Sequence, residues 1–342
     1  MTTRKPLAWL MGAAAVVALG LTEAIPQAQA QETHSFRFST DSPASNVKVK
    51  AEMKWAELAR ERSDGQIDIK IFTSAQLYND AQAIPAVSSG AIDMAAPPSM
   101  LLTSVVPQFA VFELPALWGV SFAQYRTAIE GEFGHDLEQR LEDKLGVKVL
   151  GHLHMGTWVW ASNEKAIVEP TDFEGQKIRI IGNVINEQVM TTFGVNPVQI
   201  PWPEVPTALL QGTVDGVETT LSGLYSIKGW EILDNLTISD HKILPYSVIM
   251  NRASWEKLPK NLQEILIDTL EEARDWHDTE IEKMKQDAIK KFREEGVNVV
   301  VLSGEDQQGF IKVIKDVDGG FSEDSGVPQA ADLFIDSADL ND

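Results

Sequence analysis

Two stretches of this sequence follow one pattern, about 120 residues apart. After the strand-like "DIKIF" comes "DAQAIPAVSSGAIDMA", and after "VNPVQI" comes "PWPEVPTALLQGTVDGVE". Both read as strand, loop with an acidic or proline start, short helix, then Gly-x-[Ile/Val]-Asp leading into another strand. Gly90 and Gly212 stand where each helix needs a left-handed residue to stop. One such unit is ordinary α/β punctuation; two matched units suggest two similar sheets facing each other.

The surrounding pattern agrees. "HSFRFST" predicts a strand, Val47 to Arg62 an amphipathic helix and "GQIDIKIF" a second strand. Strand and helix patterns alternate along the chain, which predicts α/β layers. No long linker or low-complexity segment intervenes, so the chain must cross between lobes inside regular elements. From Ser254 onward strong helix formers dominate, with Leu262, Ile265, Leu266 and Leu270 at helical spacing, a break near Pro259 and a stop at Gly296. That run exceeds an ordinary globular helix. Either one helix lies across both lobes, or a packed pair sits on one of them.

The first thirty residues indicate where the protein works. Arg4 and Lys5 precede an apolar run, Leu7 to Leu21, and "AIPQAQA" ends on the small-x-small pattern Ala28-Gln29-Ala30. Cleavage after Ala30 and export to the periplasm are expected, since the run is too short and too Ala/Gly-rich for a membrane span. The formal charge of −21 argues against nucleic acid and anionic lipid as partners, because both require a basic face. With no cysteine, disulfides, thiolate metal sites and a Cys nucleophile are excluded.

Catalytic motifs are absent from the sequence: no Gly-Lys-[Ser/Thr] phosphate loop, no His-Glu-x-x-His, no Gly-x-Ser-x-Gly. His152 and His154 share a strand face, with Asp240 or His241 as candidate companions, but no known metal-site spacing appears, and neither metal nor cofactor is expected. In "EGQKIRIIG", Lys177 and Arg179 alternate with Ile178 and Ile180, the period of a strand with one apolar face. Alternation alone makes Arg179 a solvated strand residue.

Five blocks, in order, change that reading. "TSAQLYNDAQAIPAVSSGAIDMA", "FELPALW", "PTDFEGQKIRIIG", "VQIPWPEVPTALLQGTVDGVETTL" and "SWEKLPKNLQEIL" resemble segments of the substrate-binding proteins of TRAP transporters, the DctP type. The resemblance spans essentially the whole chain after residue 30. It implies a two-lobed α/β fold of the periplasmic-binding-protein kind, with a ligand cleft between the lobes and a long helix spanning both. The lobes would be residues 31–155 with 245–283, and 156–244 with 284–342. It also implies a monomer that closes on a small carboxylate ligand and docks on the membrane subunits of a TRAP permease. In the family the Arg of the Lys-x-Arg block pairs with the ligand carboxylate, and by position that is Arg179. A guanidinium presents a planar fork that matches a carboxylate in two hydrogen bonds, which Lys cannot reproduce.

Departures from the family pattern bear on the ligand. Trp158 falls where many members carry a second Arg, Thr219 after Glu218 replaces an Asn, Trp202 replaces a Phe, and Asp41 stands where a neutral polar residue is common. Asp80 begins a helix facing the cleft in the family layout, so capping and ligand contact are both open. The loop around Pro98 and Tyr246 complete the expected site. A dicarboxylate wants two cationic partners, so the expected ligand is a monocarboxylate with an apolar, hydroxylated or zwitterionic remainder. Trp158 either flanks it or packs in the core, as a large side chain commonly does. Glu204 is read as a helix cap, and Phe112 and Trp118 as core. Two other functions remain open: an exported enzyme using Glu218, Asp41 and the histidines, and the ligand-binding subunit of a sensor.

Overall fold

Asn46 opens the first helix by accepting the Lys48 N–H on its side-chain oxygen at 2.8 Å. Helix Val47–Arg62 then runs between strands β1 (His34–Ser39) and β2 (Ile67–Phe72), as the pattern predicts. The remaining strands are β3 (Met94–Ala95), β4 (Val147–Ser162), β5 (Lys177–Ile180), β6 (Asn196–Gln199), β7 (Gly216–Thr220), β8 (Asn235–Ile238), β9 (Ile243–Asn251) and β10 (Asn298–Val301). The computed structural model describes residues 1–2, 32–317 and 319–340, and these elements lie in the unit Thr33–Asp342. The expected leader's apolar run and the cleavage site after Ala30 lie outside the described residues.

The repeated sequence unit is a repeated topology. β1 pairs in parallel with β2 on one side and β3 on the other, and β5 pairs in parallel with β6 and β7 in the same way. Each trio is then met by an antiparallel strand, β9 against β3 and β4 against β7. Gly90 and Gly212 both adopt positive φ, 77° and 66°, after helices Asp80–Ser88 and Val205–Leu210. Two parallel trios of one connectivity present their C-terminal strand ends as a pair, where loops can converge on a ligand.

β4 joins the halves. Val147 to Thr157 pair with β9 in the first sheet, and Trp158 to Ser162 pair with β7 in the second. The register shifts between Val149 and Gly151 and between His154 and Thr157, bulges that bend the strand where it leaves one sheet for the other. Gly156 sits at φ 82°, and a Cβ there would lie 3.2 Å from Ile281 Cδ1, so glycine permits both the turn and the close passage of a helix.

That helix is Lys260–Glu294, 35 residues long. Leu262, Leu266, Leu270 and Ala273 pack with Trp55 in the first lobe, where Trp55 Nε1 donates to Leu266 O at 3.0 Å. Ala288 and Phe292 pack with Leu236 and Val297 in the second. Each buried Leu or Phe contributes roughly 1.5–3 kcal/mol, so the helix is anchored at both ends rather than paired on one lobe. Phe112 and Trp118 are core residues as expected. The C-terminal helix Val327–Ser337 returns to the first half of the chain, Phe334 meeting Phe133 edge-on at 5.1 Å and Phe112 at 6.2 Å.

Candidate functional site

A cavity of about 270 Å³ lies between the C-terminal ends of the two parallel trios. Asp41, Ser42, Asn79, Asp80 and Pro98 form its first-lobe wall. Arg179, Gly182, Gln199, Trp202 and Thr219 form the second. Met155 of β4 and Leu244 and Tyr246 of β9 line it from the crossing strands. Seven residues singled out in the sequence thus meet in one place: Asp41, Asp80, Pro98, Arg179, Trp202, Thr219 and Tyr246.

Arg179 dominates the second wall. Its side chain is 3% exposed, Nε donates to Ile200 O at 2.9 Å, and the guanidinium lies 5.5 Å from the Trp202 ring centroid. Nη1 is buried without a hydrogen-bond partner among the described residues. Burial pushes its pKa down to about 10, against the attraction of Asp41, Tyr246 and Glu218, so the group is still charged at neutral pH. A charged donor held dry and unpaired is expensive unless an anionic acceptor arrives. Trp202 Nε1 is likewise buried without an acceptor. Gly223 makes room for that indole, since a Cβ there would lie 3.2 Å from Trp202 Cη2.

The first wall is acidic. Asp80 opens helix Asp80–Ser88, whose capping box is closed by Asn79 and Gln82, so Asp80 itself is not the cap. Asp41 follows β1 and accepts the Ser42 hydroxyl at 3.3 Å. Burial raises both carboxyls, and the neighbouring Asp41 charge drives Asp80 higher still, while Lys48 opposes the rise in each. Lys48 stands behind the wall, fully buried, donating to Glu52 Oε1 at 2.8 Å and Thr40 Oγ1 at 3.2 Å. Its ammonium lies 4.4 Å from the Tyr246 ring centroid.

Two expected site residues lie elsewhere. Trp158 does not line the cavity; it is fully buried with its ring 4.3 Å from Lys242 Nζ, at the crossing between the sheets, and Met155 lines the cavity from the same strand. The bulge between His154 and Thr157 decides which β4 side chain faces the cleft, and spacing in the sequence does not reveal a bulge. Glu218 is also absent from the wall. Successive strand residues point to opposite faces, so Thr219 and Glu218 cannot both enter one cavity. Glu218 bonds Asn186 Nδ2 at 2.7 Å, His241 at 3.2 Å and Lys242 at 3.3 Å. Burial works against its charge, yet Lys242, His241 and Asn186 hold it at about 2.

The histidines are similarly committed. His152 contacts Glu138 and Ser247, and Asp240 pairs with Lys285. His154, His277 and Asp278 lie within 4.8 Å of one another. His154 Nδ1 accepts the Gly156 N–H, Nε2 faces Asp278, and Asp278 pairs with Arg126, so these two serve internal hydrogen bonds, while both ring nitrogens of His277 are buried without a hydrogen-bond partner among the described residues. Sequence reading missed Gln199, Asn79, Ser42, Gly182 and Met155 on the wall, none of which carries a local signal for it.

A family model described as bacterial extracellular solute-binding protein, family 7 (DctP), matches residues 38–323. The chain belongs to this family. A relative from Escherichia coli, the 2,3-diketo-L-gulonate-binding periplasmic protein YiaO, is 30% identical over 302 residues, covering 88% of this chain and 90% of that one. The C4-dicarboxylate-binding periplasmic protein DctP of Rhodobacter capsulatus is 29% identical, covering 97% and 98%. Among solved structures, a TRAP periplasmic solute-binding protein from Sulfurospirillum deleyianum with bound succinate matches with TM-score 0.81 and 27% identity, covering 90% of this chain and 98% of that one. One from Desulfovibrio salexigens with bound orotic acid matches with TM-score 0.78 and 26% identity, covering 90% and 95%. The two-lobed fold with a cleft is therefore the DctP-family fold.

Proposed function

We propose that the protein captures a small carboxylate-bearing solute in the periplasm, as a monomer, and hands it to a TRAP-type membrane permease. The buried, unpartnered Nη1 of Arg179 carries the reading. A ligand carboxylate docked there accepts from Nη1, and Trp202 braces the guanidinium from one side. Relatives and structural neighbours named for 2,3-diketo-L-gulonate, C4-dicarboxylates, succinate and orotic acid support an acidic solute.

Binding proceeds by closure of the lobes, 31–155 with 245–283 against 156–244 with 284–342. Contacts from both walls favour the closed form by their differential affinity. The protein works without turnover, after removal of residues 1–30. Isothermal titration of organic acids into the mature protein, together with mass analysis of whatever it carries on purification, tests this. The expected result is stoichiometric binding of a carboxylate that is recovered unchanged and lost with Arg179→Ala. Arg179-independent binding, or chemical conversion of the solute, would refute it.

A further inference from the structure

The cavity's two walls carry opposite charge, and that asymmetry bears on the ligand's far end. Arg179 is the cationic residue on the wall, whereas Asp41 and Asp80, 8% and 5% exposed, face the same space from the other lobe. Behind Asp41 and Asp80 stands a buried ion pair, Lys48 with Glu52, already closed on itself through Glu52 Oε1 and Thr40. Arg179 and Lys48 face three carboxyls; fully ionised, the set would carry an excess of one negative charge, and burial relieves it by raising all three.

From this arrangement we infer that the solute is a zwitterion, docking its carboxylate on Arg179 and an N–H-bearing ammonium group between Asp41 and Asp80. The inference rests on the carboxylate reading of Arg179 and extends it to the other end of the molecule. A dicarboxylate would bring two further negative charges to a cavity whose one cationic lining residue, among the described residues, is Arg179, and its second carboxylate would face two acids. A simple monocarboxylate would add a negative charge and offer the two acids no donor beyond the hydrogen bond they share. A zwitterion adds no net charge and pairs each end with its opposite.

The rings agree with this. Tyr246 lies on the wall beside the acids and Trp202 beside Arg179, so an apolar chain joining the two charged ends has aromatic surface to lie against, and an ammonium near Tyr246 gains from the ring face. Burial raises both aspartic carboxyls, and the Asp41 charge drives Asp80 higher still, while a hydrogen bond from Asp80 counters the rise at Asp41. An arriving ammonium reverses that, so binding of a zwitterion should release protons.

The test uses the mature full chain and three probe sets of matched length: β-alanine, γ-aminobutyrate and δ-aminovalerate; succinate and glutarate; and γ-hydroxybutyrate. Titration in buffers of different ionisation heat reads affinity and proton release together. At least one amino acid should bind with release of protons, and the diacids should not. Asp41→Asn and Asp80→Asn should each weaken that amino acid roughly 10–100-fold. The double variant should lose it and gain succinate. Thermal melting of each variant separates a loss of binding from a loss of fold.

Arg179-dependent binding of a diacid or hydroxy acid, with no response to any amino acid, overturns the zwitterion and leaves the carboxylate reading standing. Binding that ignores Arg179→Ala overturns both. The molecule eluted from denatured protein provides a measurement independent of variants. One bearing both amino and carboxyl groups supports the inference, and one free of nitrogen overturns it.

Discussion

Thr219 and Glu218 are adjacent on β7 and face opposite sides of the second sheet, Thr219 into the ligand cavity and Glu218 into a buried cluster with His241, Lys242 and Asn186. Lys242 also reaches Glu113 at 2.6 Å, so this cluster ties the second sheet to the segment Pro107–Glu113 of the first half. One strand therefore lines the cavity with one face and, with the other, holds the cluster that joins the second sheet to Pro107–Glu113.

The two faces should separate by mutation. Thr219→Val is expected to weaken ligand binding by roughly 0.5–1.5 kcal/mol, the net worth of one hydrogen bond, with unchanged stability. Glu218→Ala leaves His241 and Asn186 without their carboxylate and Lys242 underpaired, and should destabilise by roughly 3–5 kcal/mol. Urea unfolding with ligand titration on both variants checks this, and the reverse assignment of losses would mean that Glu218 is the ligand contact.

Arg179 is expected to trade stability for binding. Burial depresses its pKa to about 10, so the folded state disfavours the charged form that the unfolded chain carries freely. Arg179→Met should therefore raise the melting temperature of the unliganded protein while removing the ligand-induced shift. Loss of a buried, charge-assisted pair amounts to roughly 2–5 kcal/mol of binding, at least tenfold in affinity. A melting temperature that falls as for a core deletion would make the residue structural.

Glu113 gives stability a pH dependence. Burial raises its carboxyl to about 7 against the pull of Lys242, while the unfolded group ionises near 4.5. Its favourable contribution is complete below 4.5 and is lost as pH rises through 7. Asp41 and Asp80, also raised, lose theirs in the same direction. Glu218, held at about 2, contributes stability above 4.5 that disappears as pH falls through 2. Glu113 should thus weaken the unliganded protein as pH rises from 4.5 through 7, by at most ~1.4 kcal/mol per pH unit. Acting against it are His241 and His277, which burial holds down to about 4 and which lose their contribution as pH falls below 6.5. Thermal melts across pH measure the profile, and Glu113→Gln should flatten its alkaline arm.

How much of this was legible in the sequence divides along physical lines. The two trios were visible because Gly90 and Gly212, each after a short helix, mark a local need that the chain states twice. Arg179 was visible only through the ordered family blocks, because a strand period shows two faces without saying which one meets a cleft. Trp158 was misplaced by a β4 bulge that only pairing with β9 reveals, and Glu218 was paired with Thr219 against the strand's own alternation. Lys48 and Glu52 sit one turn apart on a helix that reads as an ordinary solvated ion pair, yet both are fully buried. Their meaning depends on Tyr246, which arrives from β9, nearly two hundred residues later.

Gly182 sets the shape of the second wall. It follows β5 at the cavity, and a Cβ there would lie 2.1 Å from Gln199 Oε1. Its φ is outside the left-handed region, so the constraint is space rather than backbone strain. The blocking atom is the end of a flexible side chain, so the fold can absorb Gly182→Ala by swinging Gln199 away, at little loss of stability. Gln199 and Gly182 both line the cavity, and the displaced amide must either enter it or withdraw from the ligand. Gly182→Ala should therefore weaken binding about tenfold, equivalent to ~1.4 kcal/mol, while the melting temperature of the unliganded protein holds. Adding Gln199→Ala to Gly182→Ala removes the clash. If crowding is the cause, the double variant binds no worse than Gln199→Ala alone; if it binds still worse, the Gly182 backbone itself contacts the ligand.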